Sequence, residues 1–240
     1  MDIRVRNPCS FIFSGPTKAG KTHRVFRFLE FAKTIFQKPE CANHVIYFYN
    51  VWTDEFEKNK HLVHEWIQES PTLDVIVEKC TPFKNRGGSI VIVDDYGSDI
   101  SKELKQVFTV HSHHLNINLF LLVQNLFPND NFYRELSRNA THTLVFPNNR
   151  DKKQLQCFAS QVFPGGSSYI LDICAQMEEE NPYGYIWFDF DQKTVKYLRI
   201  KANMLPDEWP ARCWVKEKKK EKIEKKQKAK RSRNEKKEKK

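Results

Sequence analysis

Residues 15–22 read GPTKAGKT. Two glycines bracket four variable residues, and a lysine and a threonine follow. This is the G-x-x-x-x-G-K-[ST] pattern of a phosphate-binding loop. It constrains the fold because it works only between two partners. A strand must deliver it to the edge of a sheet, and a helix must aim free N–H groups and its positive dipole end at the anion. Both flanks are legible. Cys9–Ser14 (CSFIFS) is a short apolar run rich in strand formers. Beyond the loop, Val25, Phe28, Leu29, Ala32, Ile35 and Phe36 recur at helical spacing, with Arg24, Arg27 and Lys33 between them. Gly15 and Gly20 permit the tight turn and the close approach of backbone to an anion. In such a loop the chain from Gly15 through Pro16, Thr17, Lys18 and Ala19 to Gly20 surrounds the phosphates of ATP. Lys21 reaches the β- and γ-phosphates, and the Thr22 hydroxyl ligates Mg²⁺. The alternative is a glycine turn with an exposed lysine.

A phosphate loop needs a second element to hold the metal. SIVIVDDYG (Ser89–Gly97) is apolar without alternation at its start, as a strand buried on both faces of a parallel sheet should be, and it ends in Asp94 and Asp95. α/β sheets place their ligands at the C-terminal edge. Alternation along the strand sends the two carboxylates different ways. Asp94 is the natural Mg²⁺ partner, and Asp95 is placed to orient or deprotonate an attacking water. The competing reading is a pair of capping residues for the next helix. Gln124 ends the following apolar run, NINLFLLVQN, where a polar side chain suits a contact with the γ-phosphate or the water. Asn50, at the tip of HVIYFYNVW, is a weaker candidate for a switch acting on Asp95.

Strand-like and helix-like segments alternate along the rest of the chain, predicting an α/β domain with a mostly parallel sheet covered on both faces. Leu62, Val63, Trp66 and Ile67 suggest a short helix, LDVIVE an extended piece, and NRGG (Asn85–Gly88) a turn. SKELKQVFTVH reads as a helix and HTLVFP (His142–Pro147) as a strand. DKKQLQCFASQVF and SSYILDICAQMEEE read as helices, and GYIWFDFDQKTVKYLRI as a C-terminal pair of strands around an Asp-Gln turn. The 240 residues suffice for one sizeable domain, 1–212, with a tail, 213–240.

The net charge of +10 belongs to the tail. From Lys216 to Lys240 there are 15 basic and 5 acidic residues, which leaves 25 of each in the remainder. The charge is therefore no argument that the domain itself is a nucleic-acid surface. With Ile223 its one aliphatic residue beyond alanine, the tail cannot bury a core. It reads as a solubilising, localising or DNA-phosphate-binding segment. Six scattered cysteines without a C-x-x-C pair, after a polar start (MDIRVRNPCS), suggest free thiols in a reducing compartment. The longest apolar stretch, NLFLLVQNLF, is about half of what a membrane span needs, so no membrane role is expected. His111, His113 and His114 lack the neighbours of a zinc site and suit a loop, or a subunit or DNA contact.

Five blocks (GPTKAGKT, IVIVDD, FTVHSHHLNINLFLLVQNLF, NNRDKKQLQCFASQVFP and YGYIWFDF…LRI…LPDEWP) occur in the order found in viral genome-packaging ATPases of the FtsK–HerA superfamily. The chain most resembles the group in Polinton-like and adintovirus-like elements, related to the poxvirus-type packaging ATPase. The resemblance spans about residues 8–210. Its specificity lies in the third and fourth blocks, since many ATPases share the first two. It implies a RecA-like core and a homo-oligomeric ring, usually a hexamer. It also implies ATP-driven movement of double-stranded DNA into a preformed capsid, with capsid or portal vertex proteins as partners, at an intracellular assembly site in the host nucleus or cytoplasm. By matching motif, Lys21, Thr22, Asp94, Asp95 and Gln124 inherit the ATPase roles. Arg134 matches an arginine just before the HTLVFP strand and becomes the candidate finger reaching a neighbouring subunit; Arg150 is the runner-up. Where relatives read FTRGSHH, this chain has FTVHSHH, with Val110 and His111. A finger at that place has moved or been lost here. Two other readings compete. A ring helicase of the small-virus replication type expects an origin-binding or nuclease segment upstream of Cys9 and a preference for single strands. A non-catalytic nucleotide module does not require Lys21, Thr22, Asp94, Asp95 and Gln124 together.

Overall fold

The strand that precedes the phosphate loop is flanked on both sides within one sheet, and its alternation explains why. Phe11 and Phe13 pack into one hydrophobic cluster and Ile12 into another, all buried. The computed structural model describes residues 3–94, 102–125, 136, 138–147 and 152–215. Among these, a nine-stranded sheet runs in the order β3 (Glu65–Ile67), β2 (Val45–Phe48), β4 (Ser89–Asp94), β5 (Ile117–Val123), β1 (Ser10–Ser14), β6 (His142–Val145), β7 (Ile186–Asp189), β8 (Ile200–Ala202) and β9 (Arg212–Cys213). The pairs from β3 to β6 are parallel, and those from β6 to β9 are antiparallel. The expected mostly parallel sheet with a C-terminal hairpin is what forms.

The described helices are α1 (Lys21–Glu30), α2 (Ala32–Ile35), α3 (Asp54–Asn59), α4 (Leu73–Cys80), α5 (Lys102–Gln106, continued through a π turn to His114), α6 (Lys152–Val162) and α7 (Ser167–Glu180). The central strands carry apolar residues at successive positions because both faces are covered. Ile90, Ile92, Phe120 and Leu122 join Val25, Phe28 and Leu29 of α1. Val91, Val93, Leu119 and Leu121 join Ile76 of α4 and Leu104 of α5. Phe28 packs its ring within 5.4–6.2 Å of Phe11, Phe13, Phe120 and Trp187, tying α1 to the sheet directly behind the loop. Truncating such a buried ring costs about 3–5 kcal/mol. A third cluster joins α6 and α7 to β6, β7 and β8.

Two segments differ from the sequence reading. Glu65–Ile67 is the edge strand β3, not part of a helix, and Leu73–Cys80 is the helix α4, not an extended piece. The parallel register sets Trp66 beside Tyr47, and their rings stack at 4.9 Å. Packing against the sheet, rather than local preference, makes this segment a strand. In α4 the β-branched Val75, Ile76 and Val77 are overruled by a cap, since Thr72 Oγ1 accepts the Val75 N–H, and by the burial of Ile76 and Cys80 one turn apart. The second strand of the C-terminal pair also begins late. A turn at Asp191–Thr194 and a short 3₁₀ segment, Lys196–Leu198, precede β8.

At the end of the sheet opposite the loop, a buried polar network locks β6, β7 and β8 together. Lys201 Nζ lies 2.8 Å from Asp189 Oδ2, Thr194 Oγ1 donates to Asp189 Oδ1 at 3.0 Å, and the Trp187 indole donates to His142 at 3.2 Å. Burial pulls the His142 pKa down to about 4, so the ring is neutral and accepts that bond. None of the six cysteines is in a disulfide. Burial pushes the thiols of Cys41, Cys80 and Cys174 up to about 12, which leaves them protonated and without nucleophilic character. No helix among the described residues is long and apolar enough to cross a membrane.

Candidate nucleotide site

The loop is shaped by two left-handed residues, Lys18 (φ 65°) and Gly20 (φ 89°), which curl the backbone ahead of α1. Gly20 is the N-cap of α1, so no side chain caps this helix, and its first turn has no acidic residue. Elsewhere the chain does cap. Thr53 and Thr72 cap α3 and α4, and both of those helices carry carboxylates in their first turn. The N-terminus of α1 thus offers its first-turn N–H groups and positive dipole end to an anion without a capping side chain or a carboxylate in the way. Gly15 serves another need. A β-carbon there would lie 2.6 Å from Phe146 Cβ, so glycine alone lets the end of β6 press against the start of the loop.

Lys21 folds back over this curl. Its ammonium donates to the carbonyls of Gly15 at 2.7 Å and Pro16 at 2.9 Å. One residue on, Thr22 Oγ1 donates to Asp94 Oδ2 at 3.2 Å. Loop and acidic strand therefore meet through a hydroxyl and a carboxylate some seventy residues apart in sequence. The same Asp94 oxygen accepts a bond of 2.6 Å from the Tyr47 hydroxyl. Burial and the adjoining Asp94 carboxylate hold the Tyr47 phenol well above its usual pKa, so it remains a donor throughout the physiological range.

Beside the loop lies a cavity of about 690 Å³ lined by Thr17, Lys18, Lys21, Thr22 and Asp94 on one side and by residues from Tyr49 to Phe56 on the other. It has room for the phosphate end of a nucleotide and its metal. Asp54 and Glu55 make the far wall acidic, facing Asp94 on the loop side, and His23 Nδ1 lies 3.2 Å from Glu55.

The architecture has a counterpart among solved structures. The genome-packaging NTPase B204 from Sulfolobus turreted icosahedral virus 2, solved with ATPγS, aligns over 84% of this chain and 97% of its own, with 13% identity and a TM-score of 0.51. The chain has the fold of a RecA-like P-loop NTPase. Weaker likenesses are to the cytoplasmic domain of the Type VII secretion ATPase EccC from Thermomonospora curvata (13% identity, 60% of this chain and 20% of that one, TM-score 0.43) and the N-terminal domain of zonular occludens toxin from Neisseria meningitidis (15% identity, 59% and 78%, TM-score 0.34). No family model matches the sequence, and no curated protein matches it.

In this P-loop fold, β5 stands between the loop strand β1 and the acidic strand β4. Its register pairs Val123 with Ser14, which sets Gln124 level with Gly15 at the exposed C-terminal edge. Gln124 is not among the described residues that line the cavity, whereas Asn50 is. The structure thus brings Thr17, Lys18, Gly20, Lys21, Thr22, Asp94 and Asn50 around the cavity and leaves Gln124 at the neighbouring strand tip. Asp95, Arg134 and Arg150 lie outside the described residues, as does the tail from Lys216. His113 and His114 are exposed at the end of α5.

Tyr47 escaped the sequence reading. The signal was a tyrosine inside an otherwise apolar strand, because a buried phenol needs a partner. Removing that hydroxyl in Tyr47→Phe should lower the unfolding free energy by about 1–2 kcal/mol. The cost is limited because the half-buried Asp94 regains water. Urea unfolding without nucleotide measures this, and an unchanged midpoint would show that the bond contributes nothing.

Proposed function

We propose that the chain is an ATP-driven motor that moves double-stranded DNA, a packaging ATPase of the FtsK–HerA kind working as a homo-oligomeric ring. The observation that carries the ATPase reading is the meeting of Thr22 with Asp94 at the N-terminus of α1, which no side chain caps, next to a loop whose carbonyls hold the Lys21 ammonium. The fold of B204 supports an NTPase, and the two specific sequence blocks support packaging in place of another use of the same fold.

The donors suit a hard divalent cation, since a hydroxyl and a carboxylate oxygen are the ligands Mg²⁺ prefers. Thr22 and Asp94 would hold it, and it would neutralise charge on the β- and γ-phosphates. The chain's own residues supply the rest. The first-turn N–H groups of α1 and the Lys21 ammonium bind and orient the triphosphate. Tyr47 keeps Asp94 aimed at Thr22. Asp95 takes the role of general base, and Gln124 orients the water or the γ-phosphate.

The decisive assay compares ATP hydrolysis with double-stranded, single-stranded and no DNA. Double strands should stimulate most; selective stimulation by single strands would favour a helicase. Truncation after Val215 separates motor from tail, since it removes all of the excess positive charge. Each phosphate contact contributes nearly one unit to the slope of log affinity against log salt. The truncated protein is expected to show a shallower slope yet keep its DNA-stimulated hydrolysis. An unchanged slope would assign the tail to localisation or capsid docking.

A further inference from the structure

Tyr183 is an aromatic ring left 62% exposed beside the phosphate loop. A β-carbon on Gly20 would lie 3.7 Å from its Cδ1 and 4.0 Å from its Cβ, so the ring stands within van der Waals reach of the residue that opens α1. We propose that Tyr183 is the platform on which the purine base of the bound nucleotide stacks, a proposal that rests on the phosphate-binding reading of the loop.

The backbone holds this residue in place. Asn181 ends α7 with its N–H on the Met177 carbonyl at 2.9 Å. Its side-chain oxygen accepts the Tyr183 N–H at 2.9 Å, and its carbonyl accepts the Gly184 N–H at 2.8 Å. Gly184 packs so closely that a β-carbon there would come within 2.7 Å of Met177 Sδ. The next residue, Tyr185, is fully buried, and its hydroxyl donates to Glu208 Oε2 at 2.7 Å. A tight turn between two anchored residues thus presents one ring to solvent. With the backbone already anchored, only the two side-chain torsions of Tyr183 are left to be ordered when a base lands on the ring, which limits the entropic cost.

The topology places the ring at the correct end of the ligand. Asp94 and Gln124 stand at the tips of β4 and β5, on one side of the loop strand β1. Tyr183 precedes β7, on the other side, beyond β6. A triphosphate whose terminal group meets Asp94 and Gln124 extends its nucleoside end away from them, toward β6 and β7. Every base offers a π-face, so stacking alone accepts adenine and guanine alike.

The test uses the full-length protein with Mg²⁺ and measures binding of ATP and of inorganic tripolyphosphate by calorimetry. Tyr183→Ala should weaken ATP roughly 5- to 100-fold, the range of a lost stacking contact. It should leave tripolyphosphate binding unchanged, and Tyr183→Phe should bind ATP like the wild type. If Tyr183→Ala binds ATP normally while Lys21→Ala does not, the platform assignment is overturned and the phosphate loop stands. Equal losses for ATP and tripolyphosphate would overturn it as well, because the ring would then only support the loop or a subunit contact. If Lys21→Ala binds ATP like the wild type, the nucleotide reading itself fails, and the platform with it.

Discussion

Lys21→Ala is expected to reduce Mg²⁺-dependent ATP hydrolysis by on the order of 10³, the upper range for losing a single preorganised donor to transition-state charge. Among the described residues, Lys21 is the cation fixed on the loop. Its ammonium is held over the loop by the carbonyls of Gly15 and Pro16, at 2.7 and 2.9 Å. Among the described residues that line the cavity, the other basic groups are Lys18 and His23, and His23 is paired with Glu55. The positive end of α1 and its first-turn N–H groups remain in the variant, so some nucleotide affinity should survive while turnover collapses. Lys21 makes no contribution to the apolar core behind the loop, so the thermal midpoint without nucleotide should stay close to that of the wild type. Turnover near the wild-type level in a folded Lys21→Ala preparation would falsify the ATPase assignment.

The second large effect concerns a residue supplied by a neighbour. No arginine is among the described residues that line the cavity, yet charge spread over a transferring phosphoryl group needs more than one cation. An arginine finger contributes about 10³–10⁵ in rate, and in a ring it can come from the adjacent subunit. Arg134 is the first candidate from the sequence resemblance, and Arg150 the second. Arg134→Ala alone should therefore be as inactive as Lys21→Ala. Mixing the two inactive proteins should restore part of the activity. Lys21→Ala subunits bring a finger without a site, and Arg134→Ala subunits bring a site without a finger, so some mixed interfaces pair an intact site with an intact finger. Mixed rings that form, shown by co-purification of differently tagged subunits, but hydrolyse nothing at any ratio would exclude Arg134 from acting across the interface. The same cycle with Arg150→Ala is then the next measurement.

What was legible in the sequence was whatever one stretch of chain decides for itself. GPTKAGKT carries its own turn chemistry, in glycines that accept left-handed or crowded backbone, and its neighbours carry the periodicities of a buried strand and an amphipathic helix. The apolar runs of β4 and β5, interrupted in β5 by Asn118 alone, could be read as strands covered on both faces because they are short, rich in strand formers and do not alternate with polar residues. The errors fell where local preference and tertiary packing disagree. Trp66 lies in a strand of three residues, too short to show alternation, and it becomes a strand only because β2 offers an open edge and Tyr47 a ring to stack on. The β-branched residues of α4 argue for extension. Against them stand Thr72 at the cap and two pairs of residues four apart, Ile76 with Cys80 facing inward and Asp74 with Glu78 facing outward.

By itself, the sequence determined that this chain builds a phosphate loop between a strand and a helix, in a mostly parallel α/β sheet. Those features rest on contacts among residues close together in the chain and on simple burial. Only the tertiary structure decided which oxygen atoms meet. Insertion of β5 between β1 and β4 places Gln124 level with Gly15. It also spaces the two motifs so that Thr22 and Tyr47 converge on one oxygen of Asp94, from three segments up to 72 residues apart. Strand order is set by how a long chain crosses over to pair distant strands, and no local pattern encodes that choice. The exposed ring of Tyr183, unremarkable among other aromatics in the sequence, stands beside Gly20 for the same reason: the partner that gives it meaning lies some 160 residues away, in the loop that follows β1.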